Sequence, residues 1–159
     1  MKKAYWITGI LAIFLAIGIF AIASPDSNAG KYELVNAFDK DIMIYKSSTC
    51  GCCELYASYF KKQGNPNADI YNVNIDDVKK DYKIPKTLES CHTTIIGDYF
   101  VEGHIPLEAI EKLLKEKPEI RGIAMPGMPS GSPGMPGVKS EFVIYKVNFD
   151  GSYDEFMRM

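Results

Sequence analysis

Apolar residues along this chain form one unbroken block at the front, several short alternating runs, and one stretch at helical spacing. The block is 17 residues, Ile7 to Ala23, diluted only by Thr8, Gly9 and Gly18, with Lys2-Lys3 before it and Ser24-Pro25-Asp26-Ser27-Asn28-Ala29 after it. It predicts an N-terminal apolar helix, acting as a secretory signal or a membrane anchor. The block exceeds the roughly 7–15 residues of a signal core and falls short of the roughly 20 that span a bilayer. Small residues at −3 and −1 favour cleavage after Ala29, and Ala21-Ile22-Ala23 is a poorer candidate. Either outcome exports the rest of the chain, to a periplasmic or other extracytoplasmic place, with membrane contact only through residues 4–25. The expected division is therefore residues 1–29 as signal or anchor and residues 30–159 as one domain.

Within that domain Ile42-Met43-Ile44-Tyr45 predicts a strand, and Cys53 to Lys62 a helix with Leu55, Tyr56, Tyr59 and Phe60 on one stripe, stopped by Gly64 and Pro66. Asp69 to Ile75 alternates and predicts a second strand, parallel to the first. Asp76 to Tyr82 reads as a solvated connecting helix. Lys31 to Lys40 admits a short strand or a helical turn at Tyr32-Glu33-Leu34-Val35.

Two β-prone runs around Gly97-Asp98 predict a tight hairpin. With a two-residue turn Ile96 faces Tyr99, paired positions sum to 195, and Cys91 falls opposite His104. His92 points to the other face unless the strand end is irregular. Pro106, Leu107, Ile110, Leu113 and Leu114 mark an amphipathic helix before Pro118. From Gly122 to Gly137 glycine and proline predict loop, part of a Gly/Pro/Met-rich segment at 121–138 in which Pro126-Gly127-Met128-Pro129 recurs as Pro133-Gly134-Met135-Pro136. Glu141 to Phe149, Asp150-Gly151 and Ser152 to Met157 predict a closing hairpin.

Eighteen basic against twenty acidic residues, a net charge of −2, argue against nucleic acid as a partner. The four cysteines say more. Three are packed into Cys50-Gly51-Cys52-Cys53, between a strand end and a helix N-terminus, where unpaired N–H groups and the helix dipole favour thiolate. A disulfide framework spreads its cysteines to staple distant loops, and adjacent Cys52 and Cys53 pair only with strain, so the crowding points to metal or redox chemistry. The plain alternative is two structural disulfides, Cys50–Cys53 and Cys52–Cys91. Glu54 and Glu102 are explained by a solvated helix face and a strand edge. No Ser/His/Asp arrangement or phosphate loop is present.

The element order resembles the thioredoxin-like fold, with Cys50 and Cys53 in the place of its Cys-X-X-Cys pair. Where that fold carries a proline before its third strand, this chain has Cys91-His92, and the resemblance implies that Cys91 returns to the other three. More closely, Tyr45 to Cys53, Ser90-Cys91-His92-Thr93, Val101 to Pro106, Met125 to Pro129 and Gly131 to Met135 resemble the CopG-type copper-resistance family, exported thioredoxin-like proteins long classed as a domain of unknown function. The fold class expected is α/β: a thioredoxin-like mixed sheet with flanking helices, a C-terminal β-hairpin extension and an N-terminal apolar helix. The resemblance implies copper held by cysteine thiolates, possible as a multinuclear cluster, with copper redox activity left open and copper-exporting or copper-chaperone proteins as candidate partners.

Residue chemistry agrees in part, because thiolate and thioether select Cu(I) while zinc has little use for methionine. The candidate metal ligands are Cys50, Cys52, Cys53, Cys91, His104, His92, Met125 and Met128, the methionines being equally explicable as loop packing. Two rivals stand beside copper: a thiol-disulfide oxidoreductase using Cys50 and Cys53, and a structural zinc site.

Overall fold

Alternation explains the first strand: Ile42 and Ile44 turn one way into the core while Met43 and Tyr45 turn the other, half-buried. The computed structural model describes residues 31–159, so the apolar block, with the helix and the cleavage expected of it, lies outside the described residues. Strands β1 (Ile42–Lys46), β2 (Asp69–Asn72), β3 (His92–Ile96), β4 (Tyr99–Glu102), β5 (Gly122–Ala124), β6 (Val143–Val147) and β7 (Tyr153–Arg158) form one mixed sheet. Its order is β2-β1-β3-β4-β5-β6-β7. β1 and β2 are parallel, as are β4 and β5; the other neighbours are antiparallel.

The helices are α1 (Glu33–Asn36), α2 (Gly51–Tyr59, continued by a π-helical turn over Phe60–Gly64), α3 (Ile75–Asp81) and α4 (Leu107–Glu116), with a 3₁₀ turn at Lys86–Leu88. Apolar residues of α1, α2 and α4, among them Val35, Tyr56, Phe60, Leu107, Ile110 and Leu113, share the main core with Ile42, Ile44, Ile96, Val101, Ile123 and Ile144. A smaller cluster on the other face joins Ile95, Phe100, Ala124 and Val147 to Ile84 and Leu88. All five residues of β3 are buried, as befits a strand covered on both faces. Among the described residues no helix is long and apolar enough to cross a membrane.

Four expectations change. Leu55 is 60% exposed rather than on the buried stripe, because Ala57 with Tyr56 and Phe60 makes the inward face of the helix. The second strand ends at Asn72, since the Asn74 side chain accepts from Asp76 N and caps α3. Gly122–Ala124, expected as loop, is the internal strand β5. There the missing side chain is a requirement, for a Cβ on Gly122 would stand 2.1 Å from the Phe100 carbonyl oxygen. Glu102, read as a strand edge, is fully buried. The hairpin register is as expected, with Ile96 opposite Tyr99 and Thr93 opposite Glu102.

This topology gathers the chemistry. β1 and β4 end, and β3 begins, at the same end of the sheet's strands, since Lys46 pairs with His92 and Thr93 with Glu102. The segments carrying Cys50, Cys91, His104 and Met128 all adjoin that end. A cavity of about 520 Å³, lined by Phe38, Ile96, Tyr99 and Leu114 among others, opens where β3 turns into β4.

Candidate metal centre

Cys50 occupies the N-cap of α2 in extended conformation, and its sulfur accepts from Cys53 N at 3.3 Å. Cys50 and Cys53 are joined by a disulfide, while Cys52 and Cys91 are free thiols. Cys52 Sγ lies 3.5 Å from Cys50 Sγ, and Cys53 Sγ lies 3.6 Å from the Cys91 carbonyl oxygen. The four sulfurs stand within 4.8 Å of one another. The Cys50–Cys53 half of the structural-disulfide alternative is therefore present and the Cys52–Cys91 half is not.

A second group, Cys91 with His92 and His104, satisfies the same 4.8 Å limit. Cys91 Sγ is 3.0 Å from His104 Nε2 and 3.5 Å from His92 Nδ1. Both imidazoles reach one thiol because the strand end is irregular. Gly103 has φ 85°, a conformation open to glycine, so the chain leaves β4 there and His104 does not continue the strand's alternation. The two rings meet edge-on at 4.8 Å between centroids, and the Tyr56 ring packs on both, at 4.2 Å from His92 and 5.6 Å from His104. Tyr56 was not singled out from the sequence as a site residue. Its position on α2, one turn beyond the cysteines, is the signal that pointed to it.

Hydrogen bonding leaves metal-binding lone pairs available. His104 Nδ1 donates to the Pro133 carbonyl at 2.7 Å, which leaves Nε2 facing Cys91 as the unprotonated nitrogen of a neutral ring. His92 Nε2 is buried with no hydrogen-bond partner among the described residues. Burial holds His92 well below the usual histidine range, helped by His104 and Lys79, and burial lowers His104 against the opposing Pro133 bond. Both rings are therefore neutral near pH 7. Burial, and next the neighbouring Cys52, push the Cys91 thiol up to about 11, so a metal would have to displace its proton.

The Gly/Pro/Met loop lies over this group. Gly134 (φ 82°) sits against α2 so closely that a Cβ would meet Tyr56 N at 2.7 Å and the Cys52 carbonyl oxygen at 3.0 Å. Ser90 Oγ donates to the Gly127 carbonyl at 2.5 Å. Met128, 54% exposed, places Sδ 3.9 Å from Cys52 Sγ at the outer side of the cluster. Met125 packs within the main core, which also holds Tyr56. The structure thus brings together Cys50, Cys52, Cys53, Cys91, His92, His104 and Met128, and buries Met125 in the main core.

Comparison with known proteins places the fold and the family. The model of a family described as a protein of unknown function, DUF411, matches residues 88–135. Two solved structures of copper resistance protein CopG share the fold. Form 1 is 30% identical with a TM-score of 0.69 and form 2 is 29% identical with a TM-score of 0.66. Each match covers 75% of this chain, and 96% and 97% of the respective CopG chains. The chain belongs to the CopG-type copper-resistance family. No curated protein matches it. Within this CopG-type domain the matched residues 88–135 hold Cys91, both histidines and the methionine loop, while Cys50, Cys52 and Cys53 come from α2.

Proposed function

We propose that this domain binds copper as Cu(I), with Cys50, Cys52, Cys53 and Cys91 as thiolate ligands, His104 and His92 as imidazole ligands, and Met128 as a thioether at the outer side. The observation that carries the reading is the gathering of four sulfurs within 4.8 Å beside two neutral imidazoles. Thiolate and thioether are soft donors that select Cu(I), and a sulfur set this dense can bridge more than one ion. The Cys50–Cys53 bond must first be opened by two electrons and two protons from an external dithiol. Copper is the cargo, and the biological role is resistance to extracytoplasmic copper, with copper-exporting or copper-chaperone proteins as its partners. The thioredoxin-like reading of the fold is supported by the strand order β2-β1-β3-β4, and export by the apolar block at residues 7–23.

A second reading keeps a specific observation in its favour. A disulfide at a helix N-terminus, with Cys50 as the cap, suits a thiol-disulfide oxidoreductase. Against it, Cys52 stands 3.5 Å from Cys50 as an extra thiol able to trap mixed disulfides. Zinc would use the cysteines and histidines and leave Met128 without a role.

One experiment separates them. The protein is reduced anaerobically, its free thiols are counted before and after, and it is loaded with Cu(I) or Zn(II) alongside an insulin-reduction assay. Two free thiols should rise to four on reduction. More than one copper per chain, lost in Cys91→Ser, supports copper. Stoichiometric zinc that copper cannot displace sinks it. Insulin reduction that survives Cys52→Ser and Cys91→Ser promotes the oxidoreductase.

A further inference from the structure

Lys79 and Glu102 form an ion pair beneath the metal centre, with side chains 3% and 0% exposed. Two charges taken out of water are costly to hold unless their hydrogen-bonding positions are used, so their partners show what the pair is for. Most of those partners belong to one residue, Ser90. Glu102 Oε1 accepts from Ser90 N at 2.6 Å, and Lys79 Nζ donates to the Ser90 carbonyl at 2.5 Å. The second carboxylate oxygen accepts from Thr93 Oγ1 at 2.5 Å. With its hydroxyl on the Gly127 carbonyl, Ser90 has all three polar groups held. The Ser90 carbonyl belongs to the peptide bond leading into Cys91, whose sulfur stands 3.0 Å from His104 Nε2.

We propose that the Lys79–Glu102 pair is a positioning device for the metal centre: by gripping both peptide groups of Ser90 it sets where Cys91 stands relative to His104 and Cys52. The inference rests on the copper reading for its purpose and on the hydrogen bonds for its content. Neither residue hydrogen-bonds a cysteine side chain among the described residues. Lys79 comes from α3 and Glu102 from the end of β4, so the pair ties the Cys91 segment to two elements of the frame at once. Gly103 then turns the chain so that Glu102 serves the segment before Cys91 while His104, two residues on, meets the thiol itself.

A pair that merely docked α3 on the sheet would be replaceable by apolar residues of similar volume. A clamp would not, because apolar side chains offer nothing to the Ser90 peptide groups. The test is the double variant Lys79→Met/Glu102→Met in the full chain, with Glu102→Gln beside it. Glu102→Gln keeps one carbonyl acceptor, for Ser90 N, and puts an NH2 donor opposite Thr93 Oγ1. Two quantities are read. The first, without metal and with Cys50–Cys53 closed, is the iodoacetamide alkylation rate of Cys91 against that of Cys52, mapped by peptide mass. The second, after reduction, is Cu(I) affinity by competition with a chromophoric chelator.

The expected result is a folded double variant whose Cys91 alkylates faster than in the parent while Cys52 is unchanged. Its Cu(I) affinity should fall about 10–100-fold, as when an outer-shell partner of a metal ligand is lost, with Glu102→Gln in between. A folded double variant with parental alkylation and affinity overturns the proposal. If the double variant does not fold, Glu102→Gln decides by the same readouts, parental values again overturning it. Should the parent take up no copper, the copper reading fails by itself, and the alkylation ratio still decides the clamp.

Discussion

Gly103 stands at the corner where the sheet becomes the metal centre. At φ 85° a side chain is strained in any case, and here a Cβ would also meet the Met125 carbonyl oxygen at 2.6 Å and Ser90 Cβ at 2.8 Å. Gly103→Ala is expected to destabilise the metal-free protein by about 1–3 kcal/mol, measured by urea denaturation. It should also raise Cys91 alkylation by separating the thiol from His104; unchanged stability and alkylation would contradict the role given to the corner. The same residue shows how far single positions were readable. Pairing of Thr93 with Glu102, two residues short of Cys91 and His104, followed from counting across the Gly97-Asp98 turn, because hairpin register is local. That both histidines meet Cys91 depended on a backbone turn at 103, and glycine permits such a turn without demanding it.

At the scale of elements, α4 is the strut against which α1 is set. Its Glu111 carboxylate accepts from Leu34 N and Val35 N at 2.9 and 3.0 Å, satisfying the N–H groups at the start of α1, and Glu108 accepts from the Tyr32 hydroxyl at 2.7 Å and from Lys31 Nζ at 3.1 Å. Burial works to raise the Glu108 carboxyl, but the Tyr32 hydroxyl, its own backbone N–H and Lys31 outweigh it and hold the group below its ordinary 4.5. A depressed folded value means stabilisation present above pH 4.5 and lost as pH falls through that folded value. Glu108→Gln should therefore be less stable than the parent at pH 7, by at most about 1 kcal/mol for a pair this exposed. The gap should close under acid, as followed by thermal melts from pH 7 to 3; a pH-independent gap would mean the loss is one of packing. The amphipathic pattern of α4 was plain in the sequence, since helical spacing is a local property. Its capping of α1 was not, because the two elements are some seventy residues apart and meet only in the folded chain.

At the scale of the molecule, the C-terminal hairpin completes the sheet. β6 covers β5, which is only three residues long, and Phe142, Ile144 and Val147 fill the cores behind it. Deleting residues 141–159 should leave β5 as an unpaired edge beside exposed apolar surface. The expected outcome is association on size-exclusion chromatography and a lower melting temperature; a monomer melting like the parent would show the hairpin to be an appendage. By itself the sequence determined what is local. It set the strand and helix periods, the two hairpin turns, the cysteine cluster at the start of α2, and the register that pairs Ile96 with Tyr99 and Thr93 with Glu102. These depend on neighbours within one or two turns of chain, so residue order suffices. Tertiary structure alone decided that Gly122–Ala124 is an internal strand, that Leu55 faces water, that Met128 approaches Cys52 while Met125 is buried in the main core, and that Lys79 and Glu102 are buried together. Each of these turns on which distant surface covers a residue, and burial of a charge or a methionine has no periodic trace in the chain that carries it.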